Sequence, residues 1–562
     1  MTLTPLILTA ALAITAPAIA HPNPDYLIIS LVPPDDDYHR AAEALANRHN
    51  ADILTTTIDD LPALLPQLQE RRPATVAFIV RPETLDLNLA RTILDLATRV
   101  DDDPFADFAY GVITGRDADA ALKLVEASAH PAHTKPAITM LGIGSAQMGR
   151  SRTQRAAWPL RRGRVPNTSH TSIGETDASR DEAFLAKAIP QLANAPILLL
   201  ASHGYPDGLV GGPTAADIRG LDLSGAVALN IACYTGVAGA WFEDDHRTMT
   251  TRRRTAAPDD SFCLQMIDNG VASYIAYLSP RPAGPTMMGD ALLIAAGGPI
   301  SELHRDNANS VILAHLLAGS DRIDTTPARD NAPLPAQRTP ASIVLAMSTG
   351  GVLFGDPAFA PFPHQPDSDP RTSTVTQSAD RITVEATVTT PLYHFYAAEP
   401  INYWDDHTAA MRIETTVPLG DRAVRAINIL QPPAEAEHYR YAAAIEHDRG
   451  ERHLRIKIVI ATPGHTRHAP PPRPPRPQRH LRNPHRSPRH PTRRHPTRRH
   501  HNLARHQLMR HVPPMWLPRG TDVCSDTSVP PRPTTTHCSR RSRSPSRPST
   551  PCRAIAYCTP ST

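Results

Sequence analysis

Ile197-Leu198-Leu199-Leu200-Ala201-Ser202-His203-Gly204 and Ala228-Leu229-Asn230-Ile231-Ala232-Cys233-Tyr234-Thr235-Gly236 decide the reading of this chain. Each is an apolar run of strand length without polar alternation, the pattern of a strand buried on both faces. Each stops at a residue able to do nucleophilic or acid–base chemistry, with a glycine just beyond. In open α/β sheets ligands bind outside the carboxyl ends of the strands. His203 and Cys233 therefore stand where a site is expected.

Outward from these two runs, apolar stretches alternate with amphipathic ones from Tyr26 to about Ala360, the mark of a mainly parallel sheet covered by helices. Strands are expected at Tyr26–Val32, Asp52–Thr56, Thr75–Val80, Ala109–Ile113, Ala137–Leu141, Ile197–Ser202, Val227–Ile231 and Ala272–Leu278. Helices are expected at Tyr38–Asn50, Pro82–Arg99, Asp117–Ala127, Asp181–Leu192, Asp260–Asn269 and Ser301–Leu317. Leu85, Leu89, Ile93 and Leu96 share one face of the second, and several helices open on Asp or Ser, which cap helix N-termini. The segments Gly144–Ser179, Glu243–Ala257 and Gly319–Thr339 read as long loops, the first two rich in arginine. Solvation accounts for those arginines; the sharper reading makes them processing sites for an Arg-cleaving protease.

Beyond Pro361-Phe362-Pro363 the pattern changes. Ile382–Thr389, Met411–Val417 and Leu454–Ile460 alternate apolar with polar residues and are rich in Val, Ile and Thr, as half-exposed antiparallel strands are. The expected organisation is a signal peptide at 1–20, an N-terminal α/β subdomain at 21–130, a second α/β subdomain carrying the site at 131–362, a β-sandwich at 367–461, and a Pro/Arg/His-rich disordered tail at 462–562.

The 562-residue chain has a formal charge of +3 that conceals two opposite parts. The tail from Thr462 holds 20 of the 58 basic residues, all Arg, and 2 of the 55 acids, so it carries +18 and the rest −15. The folded part is acidic and is not expected to bind nucleic acid. The tail also holds 21 of the 59 prolines and the near-repeat His490-Pro491-Thr492-Arg493-Arg494-His495-Pro496-Thr497-Arg498-Arg499-His500, too polar to bury a core. Polyanion binding is one reading of it. Arg without Lys, and the abrupt break from an acidic body, also resemble out-of-frame translation of GC-rich DNA. Its cysteines, Cys524, Cys538, Cys552 and Cys558, lack zinc-ligand spacing.

Leu6 to Ala20 is an apolar, small-residue segment ending in Ala18-Ile19-Ala20, the form of a signal-peptidase site, although no Lys or Arg precedes it. It is short for a membrane span, and no other stretch reaches 18 apolar residues. Export is expected, to the periplasm, the cell surface or the medium, with no membrane span; an uncleaved anchor is the alternative reading of the segment. Only Cys233 and Cys263 lie outside the tail, so disulfides do not hold the folded part together. Cys263, in Asp260–Ile267, reads as a small apolar residue on a buried helix face.

A thiol attacks carbonyls as the thiolate, so a nucleophilic Cys233 needs a base, and His203 is the best-placed candidate. Gly204 lets the backbone approach a substrate, and its N–H, with that of Cys233, suits a developing oxyanion. Alone, a histidine at a strand end is usually a satisfied polar residue and a cysteine in an apolar run is usually core. The pair is more informative, because both leave their strands at the same end. The order His before Cys argues against glutamine amidotransferases and α/β-hydrolases, in which the nucleophile comes first.

In these features the chain resembles the caspase-like cysteine peptidases, and among them the gingipain-type peptidases. Three further segments carry the likeness: Pro104–Arg116, an acidic and aromatic stretch ending in Gly115-Arg116; Gly270-Val271-Ala272-Ser273-Tyr274-Ile275-Ala276-Tyr277; and Phe354-Gly355-Asp356-Pro357-Ala358. The resemblance spans roughly Asp25 to Phe362. It implies a caspase-like α/β fold followed by an immunoglobulin-like module, with His203 as general base and acid, Cys233 as nucleophile and Gly204 as oxyanion donor. Ser202 stands where the family often has Gly, and Asp117-Ala118-Asp119 after Gly115-Arg116 is more acidic than the family pattern. Many members orient the histidine with an acid, for which Glu175 and Asp177 are the candidates; Asp207 suggests a basic residue before the scissile bond. Gly355-Asp356-Pro357 reads as a structural turn. The implied function is an exported cysteine endopeptidase acting on protein or peptide substrates without a cofactor. Structural calcium occurs in the family, though no calcium-loop motif is legible here. The alternative is a catalytically silent caspase-like module that serves binding or secretion.

Overall fold

A computed structural model describes residues 23–101, 104–129, 133–143, 152–160, 163–175, 180–245, 247–280, 290–291, 294–317, 321–333, 349–363, 371–378, 381–388, 409–419, 423–431, 438–448, 451–462 and 552–561. The first part alternates strands and helices: β1 (Tyr26–Ser30), α1 (His39–His49), β2 (Asp52–Thr55), α2 (Leu65–Arg71), β3 (Thr75–Ile79), α3 (Leu87–Ala97), β4 (Ala109–Ile113) and α4 (Ala118–Ala127). The second part contains β5 (Ala137–Ile143), β6 (Arg152–Leu160), β7 (Gly163–Glu175), α5 (Glu182–Ala188) and β8 (Ile197–Ala201). There follow a small hairpin, β9 (Gly204–Tyr205) with β10 (Gly208–Leu209), then β11 (Val227–Asn230) and a larger hairpin, β12 (Ala240–Asp245) with β13 (Thr250–Thr255). The domain closes with α6 (Phe262–Asp268), β14 (Ser273–Tyr277), α7 (Ile300–Leu317) and β15 (Gly351–Gly355).

Eleven strands form one sheet in the order β2-β1-β3-β4-β15-β14-β11-β8-β5-β7-β6. Neighbours are parallel from β2 to β4 and from β14 to β7. β15 runs antiparallel to β14 and meets β4 at the single bridge Phe354–Val112, and β6 is antiparallel to β7. The expected α/β class therefore holds, with all eight expected strands present in the sheet.

Two-sided burial explains the unbroken apolar runs. Leu198 and Leu200 of β8 enter one apolar cluster with Ala228, Tyr274, Phe262 and Cys263. Ile197 and Leu199 enter another with Val227, Leu229, Ile294 and Leu303. Side chains on a strand alternate between faces, so both faces must be apolar when helices cover both. Helix starts follow capping chemistry: Asp86 accepts the Asn88 and Leu89 N–H groups, Asp117 that of Ala120, Asp181 those of Ala183 and Phe184, and Ser261 that of Leu264. Each such cap is worth about 1 kcal/mol. The Asp86 cap also divides the expected helix Pro82–Arg99 into a short 3-10 turn, Pro82–Thr84, and α3.

Two expected loops are strands. Within Gly144–Ser179, β6 and β7 form a hairpin that extends the sheet edge, β7 lying parallel to β5. Within Glu243–Ala257, β12 and β13 form a hairpin in which Arg252 and Arg254 pair with Asp245 and Glu243 at 2.9 and 3.2 Å. The Arg253 N–H donates to Asp330 at 2.9 Å. Sequence periodicity missed both hairpins because neither carries a continuous apolar run.

After the α/β domain, β16 (Arg371–Gln377), β17 (Ile382–Val388), β18 (Ala409–Pro418), β19 (Ala423–Gln431), β20 (His438–Asp448), β21 (Glu451–Thr462) and β22 (Cys552–Ser561) form two antiparallel sheets, β16-β17-β22-β19 and β18-β21-β20. Ile382 and Val384 from one sheet and Val417, Leu454 and Ile456 from the other are buried in the same apolar cluster as Phe359 and Phe362, and α7 packs against β18. β22 corrects the expectation of an entirely disordered tail: it is hydrogen-bonded to β17 on one side and β19 on the other. Arg553-Ala554-Ile555-Ala556-Tyr557 alternates weakly enough to be lost beside so much Arg and Pro. The remainder of 463–551 and the expected signal peptide at 1–20 lie outside the described residues. Among the described residues no helix is long and apolar enough to cross a membrane.

Candidate active site

The register between β8 and β11 pairs Ile197 with Val227 through to Leu200 with Asn230, and the Ile231 N–H donates to the Leu200 carbonyl at 3.0 Å. His203 and Cys233, two and three residues past the ends of these strands, share that offset of thirty residues. Packing one residue on agrees with it. A Cβ built on Gly204 would stand 2.6 Å from the Cys233 carbonyl oxygen, 2.7 Å from Ala232 Cβ and 2.9 Å from Thr235 Cγ2. Adjacent strands are about 4.8 Å apart, so the segments that carry His203 and Cys233 leave neighbouring backbones. His203 is exposed and Cys233 half-buried.

His203 is held by the turn that follows it. The Val210 N–H donates to the His203 carbonyl at 2.9 Å, and the Ser202 hydroxyl donates to the Val210 carbonyl at 3.0 Å. Ser202 thus pins the β9–β10 hairpin to the end of β8. The Pro206 carbonyl accepts the Phe262 N–H at 2.8 Å, which ties the hairpin to the start of α6. Tyr205, 45% exposed, and Asp207 project from the same hairpin into solvent.

Cys233 sits in a strained turn. Tyr234 adopts φ +60°, the left-handed region that costs a non-glycine residue about 1 kcal/mol or more. Its N–H donates to the Ser279 carbonyl at 3.3 Å, and the Gly236 N–H donates to the Tyr277 carbonyl at 2.9 Å, fastening the turn to the end of β14. The Tyr234 ring packs edge-on to Trp241 at 4.7 Å. Burial, with Asp244, Cys233, Glu243 and Tyr205 adding to it, holds the Tyr234 phenol far above its ordinary pKa, so it is protonated.

Four side-chain hydrogen bonds complete the turn. Asn230 Oδ1 accepts the Ala232 N–H at 2.9 Å, and Asn230 Nδ2 donates to Tyr274 Oη at 2.9 Å. Tyr274 Oη donates to the Thr235 carbonyl at 3.1 Å, and Thr235 Oγ1 donates to the Ala232 carbonyl at 3.0 Å. Sequence reasoning passed over Asn230 and Tyr274. The available signal was one amide inside an apolar run, and one phenol in the strand expected beside it.

Segments from the first half of the domain close around the same region. The Pro82 carbonyl, just past β3, lies where a Cβ on Gly239 would stand 2.4 Å away. Arg116, just past β4, forms ion pairs with Asp259 and with Asp268, the latter at 2.8 Å, across the two ends of α6. Gly115-Arg116 therefore braces α6, the helix to which the His203 hairpin is hydrogen-bonded.

The other sequence candidates lie elsewhere. Glu175 ends β7 opposite Ile143, with β5 between it and β8, so about 10 Å of sheet separates its backbone from that of β8. Asp177 lies outside the described residues. Cys263 is fully buried on α6, where burial and Asp268 push its thiol pKa up, which makes it inert. Neither Cys233 nor Cys263 is in a disulfide. Asp356 is an acceptor for Tyr26, Arg48 and His49, consistent with a structural role. Among the described residues no group of three or more His, Cys, Asp or Glu side chains is arranged to hold a metal ion.

No family model and no curated protein matches this chain. Among solved structures it is similar to one titled "Complex of Porphyromonas gingivalis RgpB pro- and mature domains", with 10% sequence identity and a TM-score of 0.36 over 77% of this chain and 93% of that one. A likeness at that score and identity carries no functional weight, so function rests on the residues of the site.

Proposed function

We propose that this protein is an exported cysteine endopeptidase in which Cys233 attacks the peptide carbonyl and His203 moves the proton. His203 takes the thiol proton, and the thiolate adds to the carbonyl carbon. The resulting oxyanion is met by the N–H groups of Gly204 and Cys233. The imidazolium then protonates the leaving amine, and an acyl-enzyme remains on Cys233. Water, deprotonated by His203, hydrolyses the thioester and regenerates the thiol. Export rests on the apolar segment ending in Ala18-Ile19-Ala20.

The observation that supports this reading best is the thirty-residue register between β8 and β11, with Gly204 packed on the Cys233 carbonyl. A Cys–His pair needs two such neighbouring strand ends, and a residue without a side chain at 204 lets the chain after His203 approach the Cys233 backbone. The decisive experiment incubates the secreted protein with a peptide library varied at the residue before the scissile bond, beside Cys233→Ala and His203→Ala. Cleavage by the wild type that both variants lose is the expected result. Intact library with folded wild-type protein, and Cys233 alkylated equally slowly in wild type and His203→Ala, would leave the silent binding module instead.

A further inference from the structure

We infer that Asn230 and Tyr274 are positioning residues that hold the Cys233 turn through a buried hydrogen-bonded bridge, an inference that rests on Cys233 being the nucleophile. The last residue of β11 is Asn230, and two residues later the chain needs a partner for the Ala232 N–H. That partner is the side chain of Asn230 itself, at 2.9 Å. The amide's other end reaches Tyr274 on the adjacent strand, and Tyr274 returns to the Thr235 carbonyl at 3.1 Å. Thr235 closes the circuit on the Ala232 carbonyl at 3.0 Å. The contacts land on residues 232 and 235, immediately around Cys233 and Tyr234.

The bridge is dry and its directions are forced. Asn230 is 1% exposed, and Tyr274 and Thr235 are 0% exposed. Because the Asn230 amide donates to the phenol, the phenol's own proton is committed to the Thr235 carbonyl, so each group has one role. Polar groups this deep are costly unless fully paired, and once paired they stiffen what they touch. What they touch here is the turn held at φ +60° by Tyr234. The strand pairings of β11 with β8 and β14 are made by backbone and do not need the bridge. Its removal should therefore loosen the thiol and the Cys233 N–H while leaving the sheet in place.

The test compares Tyr274→Phe, Thr235→Val and the conservative Thr235→Ser in the full chain. Tyr274→Phe keeps the ring stacked on Phe354, whose centroid is 6.0 Å away. The readouts are the pH profile of Cys233 alkylation by iodoacetamide, kcat and KM on a cleaved peptide, and the thermal midpoint. Tyr274→Phe and Thr235→Val are expected to slow alkylation at neutral pH and to lower kcat by about 10-fold to 100-fold, the penalty of a reacting group slightly misplaced, with KM little changed. Thr235→Ser is expected to stay near wild type. Wild-type alkylation profiles and kcat in folded Tyr274→Phe and Thr235→Val would overturn the inference. If Tyr274→Phe fails to fold, the two Thr235 variants decide on the same readouts. A wild type that cleaves nothing, but whose Cys233 alkylation still depends on Tyr274 and Thr235, supports the positioning role and removes the peptidase reading.

Discussion

Gly204 lies against Cys233 with no room for a side chain: a Cβ at 204 would meet the Cys233 carbonyl oxygen at 2.6 Å, with Ala232 and Thr235 as close behind it. Real Cβ atoms do not approach backbone oxygen so nearly, and two of the three obstacles belong to the chain on either side of Sγ. Replacement of Gly204 by Ala is expected to push the His203 hairpin and the Cys233 turn apart by a few tenths of an ångström or more. On the proposed peptidase reading, activity should fall by about 100-fold, in line with the cost of misplacing reacting groups by about 1 Å. Steady-state kinetics beside a thermal midpoint checks this, and full activity in a folded Gly204→Ala would remove the close approach from the mechanism.

Asp356 ties the start of β1 and the end of α1 to the end of β15. Its side chain is 2% exposed and accepts from His49 Nε2 at 2.7 Å, Arg48 Nη1 at 3.2 Å, Tyr26 Oη at 2.9 Å and the Ala358 N–H at 3.0 Å. Burial alone would raise its pKa, but His49, the Ala358 N–H and Tyr26 outweigh it and hold the carboxyl below its ordinary value. A carboxylate depressed in the folded state contributes stability above its unfolded pKa of about 3.9, lost as pH falls through the folded value. Asp356→Asn should lower unfolding free energy by about 3 kcal/mol at neutral pH, as removal of one partner from a buried charged cluster does. Urea denaturation of the two proteins at pH 7 reads it directly.

His304 works in the opposite chemical sense with the same outcome in acid. It is buried on α7, with no hydrogen-bond partner for Nε2 among the described residues, edge-on to Tyr110 at 5.0 Å, and burial lowers its pKa to about 4. The unfolded chain binds the proton near pH 6.5 and the folded one only near 4, so stability drains away as pH falls through that window. Integrated over the window, the loss is about 3 kcal/mol. His304→Phe should flatten that stretch of the stability–pH curve; a curve as steep as wild type would show that another group titrates there.

β22 is an inner strand of its sheet, with Cys558 opposite both Ile382 and Ile427. A chain ending before Cys552 would expose the facing edges of β17 and β19, and unpaired edges recruit other strands. Concentration-dependent self-association by light scattering is the expected outcome, with Cys233 alkylation unchanged because the site lies in the other domain. A monomeric truncated protein of unaltered stability would show that β22 contributes nothing to the sandwich.

Strands covered on both faces were readable because burial writes itself as an unbroken apolar run, as in Ile197–Ala201 and Val227–Asn230. β6 and β7 were hidden because an edge hairpin rich in Arg, Thr and Ser has no such run. β15 was hidden differently: Gly351-Val352-Leu353-Phe354-Gly355 is apolar but brief and runs into the turn Gly355-Asp356-Pro357, and it is the strand that joins the two halves of the sheet. Arg252 and Arg254 looked like an exposed cleavable loop until their acidic partners on β12 were in place.

From the amino acids alone came the class of fold, the two strand ends that carry His203 and Cys233 and the chemical types standing on them, because burial and reactivity are properties each residue carries locally. Partnership was decided in three dimensions. Which strand lies beside which, by how many residues they are offset, and which buried amide reaches which phenol all depend on contacts between residues far apart in the chain, and only packing selects among them.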